Sequence, residues 1–317
     1  MLSKKASMLI FYMAVAMASL GQQAAKHGKK ESAPAPKANS NRLDNTLLWK
    51  ISGNGLNRSC YLYGTMHVLC ADDATLSDSL KLAIKYADQI YFELDMDNMN
   101  EMLGAMKYLR MNDGKKLSEL LTPEEYARVE TYFKQHAVPL PLAMMNRFKP
   151  YFISSLIGEQ MMSCEQKNGM EELIMRESKK YSKEIKGLET TEFQASIFDS
   201  IPYEKQAKDL VSYIDSIDSY KAVTMEMVEV YRQQNLERMD SLMHKSDPGM
   251  DEYMDILLYG RNRHWVDQMP EIMKEKCILF AVGAGHLPGE QGVINLLRKK
   301  GYKVTPMGNY SKKTESL

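Results

Sequence analysis

The chain has 317 residues, 44% hydrophobic and 26% charged, enough to bury a sizeable core as one large domain or one domain with an insertion. Its 41 basic and 41 acidic side chains cancel to a formal net charge of zero. With no long basic block among them there is no footprint for phosphate, so nucleic acid is excluded as an expected partner.

The first segment reads as targeting sequence. Lys4 and Lys5 precede an apolar core, Met8 to Ala16, that is too short to span a bilayer. Ala16-Met17-Ala18 then offers small residues at the spacing of a cleavage site. This predicts a signal peptide over 1–18, and so a periplasmic or secreted protein with no stable membrane anchor after cleavage. Residues 19–44, rich in Ala, Lys, Ser and Pro, read as a disordered linker. All four cysteines (Cys60, Cys70, Cys164, Cys277) follow the leader, so disulfides are permitted, although sequence does not choose the pairing. No Cys-x-x-Cys occurs, which favours buried thiols or one bridge over a thiolate metal site.

Leu47 to Ile51 reads as a first strand and Cys60 to Tyr63 as a second, emptying into the turn Gly64-Thr65-Met66-His67. Leu76, Leu80, Ile84 and Ala87 share one helix face, and Ile90 to Leu94 forms the next strand, delivering Glu93 at its end. The character then turns helical over about 97–183. Thr122-Pro123-Glu124-Glu125 is a capping box, the proline-bearing stretch from Leu140 to Pro150 reads as irregular, and Tyr151–Met162 and Met170–Tyr181 read as helices. Ile185 to Glu189 is a short strand with Glu189 at its end, followed by a second capping box at Thr191-Glu192-Phe193-Gln194.

Residues 203–246 return to helix, with Leu210, Ile214, Ile217, Val223, Met227 and Val230 on one stripe of a long helical section. Asp251 to Met273 is a helix or helix pair carrying Arg261 just after a glycine. The closing stretch repeats the opening one: a buried strand from Cys277 to Val282, a turn with Gly283, Gly285 and Gly289 around His286, a helix over Val293–Leu297, and a last strand from Tyr302 to Met307. Residues 311–317 read as a tail. The fold class expected is α/β: a central mixed, largely parallel sheet built from both ends of the chain, flanked by helices, with a large helical insertion at about 97–183 and 203–246.

Gly-x-x-His therefore occurs twice, each time between a strand and a helix. Two parallel strands of one sheet would set His67 and His286 on the same edge with Glu93 beside them, where open α/β sheets hold ligands. Two imidazoles and a carboxylate are the ingredients of a metal site with an open position. Glu189 reaches the same edge as a third element. A fixed Arg261 would clamp a carboxylate or a developing oxyanion. The glycines of the last turn do not match a dinucleotide fingerprint, and the scattered methionines read as core filler rather than copper ligands.

These residues resemble the TraB/GumN family, which includes the Tiki-type proteases. The resemblance rests on Leu62-Tyr63-Gly64-Thr65-Met66-His67 with Glu93, on Gly187-Leu188-Glu189-Thr190 followed by Gln194, and on Arg261-Asn262. It rests also on Gly283-Ala284-Gly285-His286-Leu287-x-Gly289 with Gly301-Tyr302. It covers about Asn45 to Met307 and makes residues 45–310 a single catalytic domain. It implies an α/β fold related to erythromycin esterase and ChaN-like proteins and, for the Tiki branch, peptide hydrolysis dependent on a divalent metal, manganese or cobalt. It also implies functional roles for His67, Glu93, Glu189, Arg261, Asn262 and His286.

The leading expectation is a metal-dependent hydrolase acting on a peptide or small-molecule substrate. His67, His286 and Glu189 would bind the metal, with zinc a further candidate ion. Glu93 would be the general base, and Arg261 with Asn262 would complete the catalytic set. Two alternatives stand beside it. One is a metal-free hydrolase in which His67 takes the proton and Glu93 orients it; the other is a non-catalytic envelope ligand-binding protein using the same cleft.

Overall fold

The computed structural model describes residues 43–98, 104–136, 138, 140–162, 164–246 and 253–309. The expected signal peptide, nearly all of the expected linker and the tail lie outside the described residues. Six strands form the main sheet: β1 (Leu48–Ser52), β2 (Cys60–Thr65), β4 (Gln89–Leu94), β6 (Glu184–Glu189), β7 (Ile278–Gly283) and β8 (Lys303–Pro306). Two short strands, β3 (Leu69–Cys70) and β5 (Lys167–Asn168), pair separately.

The sheet order is β6-β4-β7-β2-β1-β8. Strands β6, β4, β7 and β2 are mutually parallel, while β1 runs antiparallel to both β2 and β8. Strand β7, which is buried at all six positions, slots between β4 and β2 from the front of the chain. An apolar run without alternation is what a strand covered on both faces requires. The sheet is thus mixed, largely parallel and built from both ends of the chain.

Twelve α-helices surround it among the described residues. In chain order these are α1 (Asp78–Tyr86), α2 (Leu117–Leu120), α3 (Pro123–Gln135), α4 (Leu142–Met145), α5 (Pro150–Gly158), α6 (Met170–Lys179) and α7 (Thr191–Ile197). They continue with α8 (Tyr203–Asp215), α9 (Ile217–Arg232), α10 (Leu236–Ser246), α11 (Gly260–Met273) and α12 (Val293–Lys299). Buried side chains fall into two clusters. One surrounds the sheet, and the other lies in the helical block, with Val129, Phe152, Leu156, Leu210 and Tyr213 among its members. Not all of the helical stretch belongs to that block: Met170 and Ile174 of α6, and Val228, Tyr231, Leu236 and Met239 of α9 and α10, pack on the sheet cluster.

Local signals held where one helix end decides them. Thr122 caps α3 with Glu125 reaching back, as a capping box should. The second box is different: Thr190, not Thr191, caps α7 by accepting from Phe193 N at 3.1 Å, which frees Gln194 for another use. The single stripe over 203–243 is cut into three helices. The chain leaves helical geometry at Ser216, and Gln234 takes a φ of +54°. There the Gln234 side chain accepts from Leu47 N at 3.2 Å and donates to the carbonyl of Asn309 at 2.8 Å, so a tertiary tie to the sheet's edge overrides helix continuity. Asn235 then restarts the helix by accepting from Arg238 N at 3.0 Å. The stretch from Leu140 to Pro150, expected to be irregular, contains the one-turn α4.

Cys70 and Cys164 form a disulfide, whereas Cys60 and Cys277 are buried free thiols. No helix among the described residues is long and apolar enough to cross a membrane.

Candidate active site at the carboxyl edge of the sheet

Strand register builds the site. Thr65 at the end of β2 stands opposite Gly283 at the end of β7, Phe92 of β4 opposite Ala281 of β7, and Leu94 opposite Glu189 of β6. The two Gly-x-x-His turns follow β2 and β7 and so emerge side by side. They also touch: a Cβ on Gly64 would stand 3.0 Å from Ala284 Cβ and 3.1 Å from Leu287 Cδ2, closer than such carbons pack.

His67, Glu93, Glu189, Arg261, Asn262 and His286 are all buried. Arg261 is the hub. A single turn of π-helix, Asp255–Tyr259, precedes α11 and brings Arg261 to the strand ends. Its Nη2 donates to Glu93 Oε2 at 2.6 Å and also to Glu189 Oε1, its Nε donates to Glu189 Oε1 at 3.0 Å, and its Nη1 lies 3.2 Å from His286 Nε2. Trp265, one turn on, lies under the guanidinium at 4.9 Å and donates from Nε1 to Glu189 Oε2 at 3.1 Å. Gln194 donates to Glu189 Oε1 at 3.0 Å and to Glu93 Oε2 at 3.3 Å.

The remaining bonds fix the histidines. Asn262 Nδ2 donates to two carbonyls, those of His286 and Gln291, which turns its Oδ1 toward His286 Nδ1 at 2.6 Å. A carboxamide oxygen only accepts, so Nδ1 carries the proton, and Nε2, facing a guanidinium donor, carries the lone pair. His67 Nδ1 meets Glu171 Oε1 at 2.5 Å, and both residues are buried.

These neighbours set the protonation states. Burial works against a charged His286; Glu93 partly offsets this, but Arg261 and His67 add to it, and its pKa falls to about 3. For His67 burial again lowers the pKa, yet Glu171 outweighs it and the net shift is upward. Burial alone would raise Glu93; the charges of Arg261, His286 and His67, with the Gly283 N–H at 2.8 Å from Oε1, instead hold it at about 2. Arg261 stays charged, its desolvation exceeded by Glu189 and Glu93.

Besides Gln194, three participants are not singled out as site residues by the sequence. Glu171 is one of two acids in the first turn of α6 and passes for dipole compensation, but it shares the buried stripe with Ile174 and Ser178, and a charge on an apolar stripe is its signal. Trp265 lies on the Arg261 face of α11 at a spacing of four. Thr65 Oγ1 is buried with no hydrogen-bond partner among the described residues, as is Glu171 Oε2.

A model of the TraB/PrgY/gumN family matches residues 47–306. The chain belongs to that family. It is similar to Metalloprotease TIKI1 of Danio rerio, 21% identical over 83% of this chain and 64% of that one. It is also similar to the Metalloprotease TIKI homolog of Amphimedon queenslandica, 22% identical over 84% and 62%, and to human Metalloprotease TIKI1, 20% identical over 82% and 61%. The match thus spans under two thirds of these relatives' length. No solved structure matches the chain.

The relatives' names imply a metal in those proteins, and the residues present here can be compared with what a metal needs. Metal-binding histidines characteristically have the second ring nitrogen held by an oxygen, and both histidines of this TraB/PrgY/gumN member have an oxygen against Nδ1, that of Asn262 in a hydrogen bond to His286 and that of Glu171 in an ion-pair contact with His67. The orphaned Thr65 and Glu171 oxygens are hard donors in the same region. By donor chemistry the site fits. Among the described residues, no three His, Cys, Asp or Glu side chains already stand together as a metal cluster, and Arg261 fills the space between Glu93 and Glu189.

Proposed function

We propose that this chain is an exported metal-dependent hydrolase, a peptidase, working at the carboxyl edge of the sheet. The observation that supports it most is the matched tethering of His67 and His286 at Nδ1 inside a buried group of carboxylates served by one arginine. The names of the relatives support the same reaction class.

In this reading His67 and His286 would hold the ion through Nε2, with manganese, cobalt or zinc suited to imidazole and carboxylate donors. Glu189 would be the further acidic ligand, and both it and His286 Nε2 would be released for that role only where Arg261 lets go of them. The ion, when bound, supplies Lewis-acid polarisation of the scissile carbonyl. Asn262 keeps His286 in the tautomer with Nε2 basic. Arg261 presents donors to the charge that develops on the carbonyl oxygen. Glu93 would accept a proton from the attacking water. At about 2 its pKa suits that task poorly while Arg261 is paired with it, so the account requires substrate to draw Nη2 away and raise Glu93's proton affinity.

That same low pKa favours a second reading without metal. There His67, raised in basicity and oriented by Glu171, takes the proton, and Glu93 serves only to fix Arg261. The test is cleavage of a mixed peptide library by the chain lacking residues 1–18, with added manganese, cobalt or zinc and with chelator. Chelator-sensitive cleavage is expected; cleavage indifferent to chelator selects the second reading, and no cleavage with any ion contradicts a peptidase. Export predicts a mature protein beginning near Ser19 by mass spectrometry, and an intact Met1 terminus in a cytosolic fraction contradicts it.

A further inference from the structure

The segment that carries His67 is fastened to the segment that carries Glu171 at every level. Strand β3, two residues beyond His67, pairs with β5, two residues before α6. Ala71 N donates to the carbonyl of Gln166 at 3.0 Å, and Met170 N donates to the carbonyl of Met66 at 3.1 Å. The disulfide Cys70–Cys164 ties the same two stretches covalently. Gly169 allows the closest approach, since a Cβ there would stand 2.6 Å from the carbonyl oxygen of His67 and 3.3 Å from Glu171 Oε2.

All of these contacts bring one carboxylate to one ring nitrogen. Glu171 is 2% exposed, and its Oε1 lies 2.5 Å from His67 Nδ1. A carboxylate is costly to bury for stability alone, because removing it from water is repaid only by a close partner. The nearby Glu172 shows the ordinary alternative: it is half-buried and pairs with Arg176 at 2.9 Å on the helix surface.

We propose that Glu171 is the positioning residue of this site, fixing His67 by its Nδ1 so that ligand binding or proton transfer runs through Nε2, with the β3–β5 pair, Gly169 and the disulfide as its mounting. The role deepens the proposed function but does not depend on which reading holds. Under the metal reading Glu171 orients a ligand, and under the metal-free reading it orients the base.

The experiment uses the chain lacking residues 1–18 with selectively 15N-labelled histidine. His67 is assigned by comparison with His67→Ala, and manganese affinity is measured on the same samples. In metal-free wild type, the ring nitrogen signals of His67 should report a proton on Nδ1. Glu171→Ala should shift that signature and weaken manganese binding about 10–100-fold, the usual cost of losing such an orienting partner. Glu171→Gln, whose amide oxygen still accepts, should recover most of both, and Glu172→Ala should change neither. Gly169→Ala keeps the Glu171 carboxylate but pushes α6, and Glu171 with it, away from His67, and should reproduce part of the Glu171→Ala effect.

An unchanged His67 signature in a folded Glu171→Ala protein overturns the proposal. If Glu171→Ala does not fold, Gly169→Ala decides by the same signature. Absence of manganese binding in wild type would refute the metal reading alone, and the ring signature would still decide the role of Glu171.

Discussion

The two Gly-x-x-His turns start from the same sequence grammar and end in opposite electrostatic states. Each follows a parallel strand, each buries its histidine, and each has Nδ1 held by an oxygen at 2.5 or 2.6 Å. At His67 that oxygen belongs to a carboxylate, and the ring is made more basic; at His286 it belongs to the neutral amide of Asn262, a guanidinium stands at Nε2, and the pKa drops to about 3. The motif fixes where a histidine stands, and the neighbours from α6 and α11 fix what it can do. A site with one basic and one neutral imidazole has two distinct tools from one repeated phrase.

Removing the guanidinium breaks this contrast most severely. Arg261→Ala leaves Glu93 and Glu189 buried without their cation, and should cost about 3–5 kcal/mol of unfolding free energy in urea titration. A loss under 1 kcal/mol would show that the two carboxylates are not held as charges. Turnover should be lost as well, since Arg261 is the cation that pairs with both Glu93 and Glu189.

Glu93 is the residue that feels both turns, being lowered by His286 and by His67. Glu93→Gln should lower peptide turnover on the order of 10²–10⁴-fold if it is the proton acceptor. Asp95→Asn, one strand residue beyond the edge, is the control and should cost far less. Equal effects of the two would remove Glu93 from the chemistry.

Acid should expose the neutral histidine. His286 at about 3 rather than 6.5, and Glu93 at about 2 rather than 4.5, each bind fewer protons folded than unfolded across those intervals. Their stabilisation is present at neutral pH and is lost as pH falls from 6.5 toward 3 for His286, and from 4.5 toward 2 for Glu93. His67 has the opposite sign: its raised pKa stabilises fully in acid and is lost as pH rises through its folded value. Below pH 6.5 the His67 contribution is already nearly complete, so His286 and then Glu93 govern the change and the urea midpoint of the metal-free protein should fall between pH 6.5 and 3; a rise would contradict the assignment.

A smaller change sharpens the comparison instead of breaking it. Asn262→Asp gives His286 the kind of partner that His67 already has. The His286 ring should become more basic by about 1–3 units, the usual effect of an adjacent opposite charge, read from its 15N shifts against pH. An unmoved titration would mean that Asn262 is not the group that sets its state.

How much of this was legible follows from what each feature depends on. The strands around His67, Glu93, Glu189 and His286 were legible because a buried strand ending in a glycine turn is written within about ten consecutive residues. Arg261 was legible as a candidate, but its grip on Glu93 and Glu189 was not, since it depends on the π-turn that precedes α11. Glu171 is not legible, because nothing local separates it from Glu172, and only the packing of α6 against the first turn does so. The breaks at Ser216 and Gln234 likewise answer to tertiary ties, which a helical stripe does not record. Gln194 was read as the far end of a capping box, and its bonds to Glu93 and Glu189 appear only once Thr190 takes the cap.

The central claim is that the two turns serve one ion. Calorimetric titration of the chelator-treated chain with manganese, repeated with cobalt and zinc, tests it directly in wild type, His67→Ala, His286→Ala and the double variant. The account predicts one ion per chain in wild type and loss of stoichiometric binding in either single variant, with folding intact by circular dichroism. Full stoichiometry in the double variant, or none in wild type with any of the three ions, would contradict it.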